Sequence, residues 1–214
     1  MKKLYILGNG DSAQLMPESI RLEREGKLIV CNLPPFEVDN VYATCIGDFK
    51  MMAALTEGSV NLDGYQWVLA NRPKTWMDSN PSFYIKHSNH IREFYTHVPS
   101  YCDLGDPSLA ATNFNCGHLA AHYSAKRHQP DEIHMFGFDS IFDTNMRSYT
   151  DIVLSSDRAP SNNYKLLDNW RPIWNGIFKE FPNITFYLYN SHSNAKINLP
   201  KNVKVMVSRP KKKT

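Results

Sequence analysis

The sequence predicts an α/β protein: a mostly parallel, Rossmann-like open sheet with helices on both faces and a lid. Three observations carry that expectation. Short apolar runs recur at Lys3–Gly8, Lys27–Leu33, Val41–Gly47, Trp67–Asn71, Glu132–Phe138, Thr185–Tyr189 and Val203–Val207. Most lack strict alternation, as strands buried on both faces do. Helical candidates lie between them, the order of a sheet built from crossovers. Gly, Asn and Asp repeatedly follow the runs, where a strand must turn.

Taken in order, the first strand ends in "GNGDS", Gly8 to Ser12. A helix is expected near Pro17–Glu25, with Gly26 as its stop. Further helices are expected at Asp48–Thr56, Cys116–His128 and Tyr164–Phe181. Pro73–Tyr101, rich in Pro, Ser, Asn, His and aromatics, receives no element. Asp139–Asn163 is long and polar, and loops of that length in compact domains are usually functional lids or disordered. One α/β domain over 1–208, with a lid at about 140–163 and a basic tail at 209–214, is the expected organisation.

Composition narrows the function classes. The chain has 214 residues, 42% hydrophobic and 21% charged, ordinary for a soluble globular protein. No apolar run approaches the ~18 residues of a membrane span. The opening "MKKLYILGNGDS" has the lysines of a secretory leader, but its apolar patch is too short and lacks a cleavage site, so none is expected. Four cysteines without a C-x-x-C pair suit a reduced, cytoplasmic protein with buried thiols. The formal charge is +3, yet the tail alone holds four cations, Arg209, Lys211, Lys212 and Lys213. Without them the body is near −1, which does not make it a nucleic-acid binder. The tail gives nucleic acid only weak support as a partner, and a solvated end is the blander reading.

In an open parallel sheet, ligands bind beyond the carboxyl ends of the strands. There the chain places Gly8–Ser12, Asn32, Gly47 with Asp48, Asn71 with Arg72, and Asp139. "ATNFNCGH" puts Asn115, Cys116 and Gly117 at a helix start. Asparagine offers both a donor and an acceptor, which suits a base edge or ribose hydroxyls. Helix starts after Gly8–Ser12 and at Asn115–Gly117 would aim N–H groups at a phosphate. Turns and caps are the plain alternative for each residue singly, and less so for five tips on one edge. "GNGDSA" fits only the loose dinucleotide fingerprint, and Asn32 stands where the ribose-binding acid would be, so NAD is not expected.

Covalent and metal chemistry find less support. His118 and His122 are spaced i, i+4, but Leu119 occupies the place of the general-base glutamate, and H-E-x-x-H chemistry fails. His87 and His90 form a loop pair with no third ligand nearby in sequence. No metal and no cofactor are expected. There is no G-x-S-x-G, no P-loop Lys-Ser/Thr and no cysteine in a catalytic context. The lid carries Asp143, Arg147, Tyr149, Asp151, Asp157, Arg158 and Tyr164. A carboxylate or tyrosine there can take a proton from an acceptor hydroxyl, with arginine neutralising a leaving phosphate.

The order "ILGNGDS", "VCNL", "NCGHLAA" and "DEIHMFGFDSIF" resembles the bacterial lipooligosaccharide sialyltransferases, over roughly residues 1–50 and 110–192. The resemblance implies a modified nucleotide-binding fold, a cytidine monophosphate sugar donor and metal-independent transfer. It places Asn9 and Ser12 by the phosphate and sugar and Asn32 by the nucleotide, with Gly8 and Gly10 also counted as nucleotide-binding candidates. Asn115, Cys116 and Gly117 take the place of the family's T-S-G, and Asp139 meets the nucleotide under the lid. Cys116 stands where the family has serine. The family's histidine after the lid is missing from "APSNNYKLLDNW", so Tyr164, Asp151 and Arg147 become the catalytic candidates. The same opening and G-x-D strand occur in phage-type proteins and in pterin diphosphokinase-like enzymes. The expected function is therefore transfer of a sugar from a nucleotide-sugar to a hydroxyl acceptor of saccharide type. The alternatives are Mg-dependent pyrophosphoryl transfer to a small alcohol, with Asp139 and Asp48 as ligands, and a nucleotide-binding protein without catalysis.

Overall fold

The computed structural model describes residues 2–22, 27–142, 170–190 and 198–208. Eight strands form one sheet: β1 (Lys3–Leu7), β2 (Lys27–Cys31), β3 (Val41–Ile46), β4 (Trp67–Leu69), β5 (Ile91–Phe94), β6 (Glu132–Phe136), β7 (Thr185–Asn190) and β8 (Val203–Val207). Their order is β5-β4-β3-β2-β1-β6-β7-β8 and every neighbouring pair is parallel. The expected α/β fold is thus present. β6 stops at Phe136 because Gly137 turns out of the strand with φ +78°. β5 lies inside the stretch that received no element. Its sequence, IREF, has two adjacent charged residues at its centre and no buried residue, and so lacks an apolar run.

Seven helices are described: α1 (Glu18–Leu22), α2 (Phe49–Glu57), α3 (Asn71–Asp78), α4 (Pro81–His87), α5 (Ala110–Asn113), α6 (Cys116–Tyr123) and α7 (Arg171–Glu180). α2 shows how sequence sets its ends. The Asp48 side chain accepts from the Lys50 N–H at 3.0 Å, and Gly58 ends the helix in the left-handed region at φ 72°, where a Cβ is disfavoured. α3 and α4 also lie in the unassigned stretch. Pro73 in the first turn of α3 withholds an N–H that has no partner there anyway, so it does not break the helix. α6 continues as a π-helical turn over Ser124–His128. The expected start of α7 at Tyr164, the Gly26 stop, the lid beyond Phe142 and the tail from Arg209 onward lie outside the described residues.

Alternation along the buried strands feeds two cores. Leu4, Ile6, Ile29, Cys31, Ala43, Cys45 and Val68 face one side, packed with Leu119, Ala120 and Ala121 of α6 and Ile173, Trp174 and Ile177 of α7. Leu7, Leu28 and Val30 face the other, against Ala13 and Met16, while Ile46, Trp67 and Leu69 meet α2, Met77 and Phe83. Fully burying each such Leu, Ile or Val contributes about 1.5–3 kcal/mol, so the centre of the sheet is the most strongly held part. None of the four cysteines is in a disulfide. Among the described residues, no helix is long and apolar enough to cross a membrane.

Candidate functional site

The strand order reverses between β1 and β6, and the carboxyl edge at such a point is where open α/β sheets hold ligands. Here two loops meet. The Gly8 N–H donates to the Phe136 carbonyl at 2.7 Å and the Gly10 N–H to the Gly137 carbonyl at 2.9 Å. A Cβ on Gly8 would lie 2.5 Å from the Gly137 carbonyl oxygen, and one on Gly10 would lie 2.2 Å from Asp139 Oδ2. The two glycines of "GNG" therefore make room for the neighbouring loop.

Ser12 locks the contact. Its N–H and its hydroxyl both donate to Asp139 Oδ2, at 2.9 and 2.8 Å, and its Oγ accepts from the Gly137 N–H at 3.1 Å. Ser12 and Asp139 are each only 1% exposed. In this arrangement their polar atoms serve the protein and fix the two loops against each other.

Asn9 and Asn32 are placed differently. Asn9 Nδ2 donates to the Cys31 carbonyl at 2.6 Å, while its Oδ1 is buried and has no partner among the described residues. Asn32 follows β2 with φ 55°, left-handed, a conformation Asn tolerates better than most residues. Its N–H donates to the Cys45 carbonyl at 3.0 Å, and its carbonyl accepts from Thr44 Oγ1 at 2.5 Å. Its Nδ2 donates to Cys116 Sγ at 3.3 Å, which leaves Oδ1 buried without a partner among the described residues. A buried carbonyl oxygen left unpaired costs about 1–3 kcal/mol. A ligand N–H or O–H would recover that cost.

The third wall is the start of α6. The Asn115 side chain accepts from the His118 N–H at 3.0 Å, and His118 Nδ1 accepts from the Asn115 N–H at 3.3 Å, a reciprocal cap. That cap needs a neutral imidazole, and burial supplies it by lowering the His118 pKa to about 3. Gly47 at the tip of β3 lets the helix end come close, since a Cβ there would sit 2.8 Å from the Cys116 nitrogen. First-turn N–H groups of α6 thus face the same edge as the β2 and β3 tips. Gly117 packs beneath Phe138 and Trp174, whose atoms a Cβ would approach to 3.1 and 3.4 Å.

Neither Cys31 nor Cys45 is poised as a nucleophile. The Cys31 pKa is raised by its hydrogen bond to Cys116 and by burial, and that of Cys45 by burial, which keeps both protonated. Asp48 caps α2 and pairs with Arg72 at 3.6 Å, while Asp139 is bonded to Ser12. The two carboxylates proposed as magnesium ligands are engaged separately.

Gly8, Asn9, Gly10, Ser12, Asn32, Asn115, Cys116, Gly117 and Asp139 thus lie on the edge where the sequence placed them. Their roles divide into loop packing, locking and open acceptors. Tyr164, Asp151 and Arg147 lie outside the described residues. Thr44, His118 and Phe138 escaped the sequence reading. Thr44 sits within an apolar strand, and the i, i+4 spacing of His118 with His122 points to metal ligation, although His118 also stands three residues after Asn115, a cap spacing. Comparison with protein-family models, curated proteins and solved structures gives no match.

Proposed function

We propose that this edge binds a nucleotide or nucleotide-sugar, with a cytidine monophosphate sugar favoured, and supports transfer of the sugar to a hydroxyl acceptor without a metal. The observation that carries the reading is the buried, unpartnered Oδ1 of Asn32, whose own amide is bonded to the first residue of α6. An acceptor there suits an amino group on a base edge, and the helix start beside it suits a phosphate. The catalytic step would be direct displacement. First-turn N–H groups stabilise the leaving phosphate, and a side chain from 143–169 takes the acceptor proton. Magnesium-assisted pyrophosphoryl transfer is the weaker reading, because Asp48 and Asp139 are already engaged by other groups of the chain.

The test is a thermal-shift screen, with EDTA, of nucleoside mono- and diphosphates and their sugar conjugates. A ligand at 100 times its dissociation constant adds about 2.7 kcal/mol, which is visible as a higher Tm. A selective cytidine monophosphate response that Asn32→Gly abolishes supports the reading. No response across the panel refutes it. Binding without release of free sugar or transfer to any saccharide leaves the nucleotide-binding part standing and removes the transferase part.

A further inference from the structure

The other edge of the sheet, at the amino-terminal ends of β4 and β5, brings together side chains that are well separated in sequence. Asp63 lies in the loop before β4. His87 is the last residue of α4, and His90 closes the 3-10 turn Ser88–His90 that leads into β5. One ligand atom from each lies within 4.8 Å of the other two, the only such grouping of three or more His, Cys, Asp or Glu among the described residues. His90 Nε2 is 3.9 Å from Asp63 Oδ1.

The surroundings hold these groups in place. The ring of Trp67 stacks on His87 at 5.5 Å and 29°, and on His90 at 5.2 Å and 20°. Trp67 is itself fixed, fully buried with its indole N–H donating to the Leu62 carbonyl at 3.1 Å. Gln66 Nε2 donates to the Asn89 carbonyl at 3.3 Å and ties the two loops directly. His87 is buried, whereas the Asp63 side chain is 65% exposed, so an ion can enter from solvent on the carboxylate side.

We propose that Asp63, His87 and His90 form a binding site for a divalent transition-metal ion of the zinc class. Two imidazoles and one carboxylate suit zinc and its borderline neighbours, while magnesium and calcium favour all-oxygen sites. Ligands about 2.0–2.1 Å from a tetrahedral zinc stand roughly 3.3–3.5 Å apart. The 3.9 Å pair is already near that spacing, and the remaining separations, none above 4.8 Å, close with small rotations of all three side chains. Three protein ligands leave a fourth position for water. The bound ion joins the loop before β4 to the α4–β5 connection. The site is remote from the strand-tip edge, and the inference does not rest on the function proposed there.

The experiment uses the untagged full chain, stripped with EDTA and dialysed. It is titrated with Co²⁺ followed in the visible spectrum, and with Zn²⁺ by calorimetry and thermal shift. The expected result is one ion per chain, a cobalt spectrum of a low-coordinate nitrogen–oxygen site that Zn²⁺ displaces, and a higher Tm with zinc. Losing a residue that only supports a ligand costs about 10–100-fold in affinity, so Asp63→Ala and His90→Ala should each weaken binding at least about tenfold. The exposed Asp63 makes its variant the safer one to fold, and the metal-free Tm of Asp63→Ala should match that of the stripped wild type. Absence of saturable binding overturns the proposal. So does binding that neither variant weakens, because the ion then sits elsewhere.

Discussion

Gly10→Ala tests whether the β1 and β6 loops are locked as described. Gly10 has φ −82° and ψ 169°, extended backbone that alanine adopts freely, so any cost is steric. The new Cβ would lie 2.2 Å from Asp139 Oδ2 and 3.1 Å from the Gly137 carbonyl oxygen. Asp139 must swing away and give up both hydrogen bonds from Ser12. Water cannot replace them at a residue 1% exposed. Two buried donors left unmade cost about 1–3 kcal/mol each, and the lower entropy of the unfolded alanine chain offsets about 0.4–1 kcal/mol. The net loss is about 1–6 kcal/mol, read by equilibrium urea unfolding with an unchanged m-value. Gly64→Ala is the control, because a Cβ there meets nothing within 4 Å, and it should stay within about 0.5 kcal/mol of wild type. A Gly10→Ala protein as stable as that control would refute the lock.

Other expectations concern different parts of the fold. Asn32→Gly keeps the left-handed backbone and removes only the side chain, so the fold should survive while nucleotide response is lost. Asn32→Ala adds about 1–2 kcal/mol of backbone strain, measurable as a lower urea midpoint. Burial lowers the folded pKa of His118 to about 3, below the ordinary 6.5. Its contribution is therefore complete above pH 6.5 and declines as the pH falls toward 3, by about 1.4 kcal/mol per unit. Unfolding at pH 6.5 and pH 5 should differ by about 2 kcal/mol from this residue, and His118→Gln, which can still cap α6, should remove that part. Tyr95→Phe deletes the hydroxyl 2.7 Å from His122 Nδ1 and strands a buried ring nitrogen. A loss of about 1–3 kcal/mol in urea unfolding is expected, and an unchanged midpoint would mean the bond contributes nothing.

The parallel sheet was legible because its central strands are buried on both faces and therefore read as plain apolar runs. Leu4, Ile6, Ile29 and Val30 are all essentially unexposed. β5 was not legible, since an edge strand with Arg92 and Glu93 buries none of its four residues and carries no such run. The site's location followed from topology, but the work of each residue did not. Spacing in "GNGDS" cannot tell a glycine that admits a ligand from one that admits a carbonyl oxygen of another loop. That difference depends on Gly137 and Asp139, more than 120 positions away in the chain. The same limit hid Asp63 from His87 and His90, which only the pairing of β4 with β5 brings near.

The pairing of β1 with β6 has a consequence for how the chain acquires its structure. Lys3 aligns with Glu132 and Leu7 with Phe136, and the Ser12–Asp139 bond spans 127 positions. A ribosome must therefore release β6 before the sheet's middle can close. Until then β1 to β5 form a half-sheet with one flank of β1 unsatisfied, a surface open to wrong partners. Because long-range contacts are reached late and slowly, Asn9 and Asn32 acquire their final setting only when synthesis is well past the midpoint.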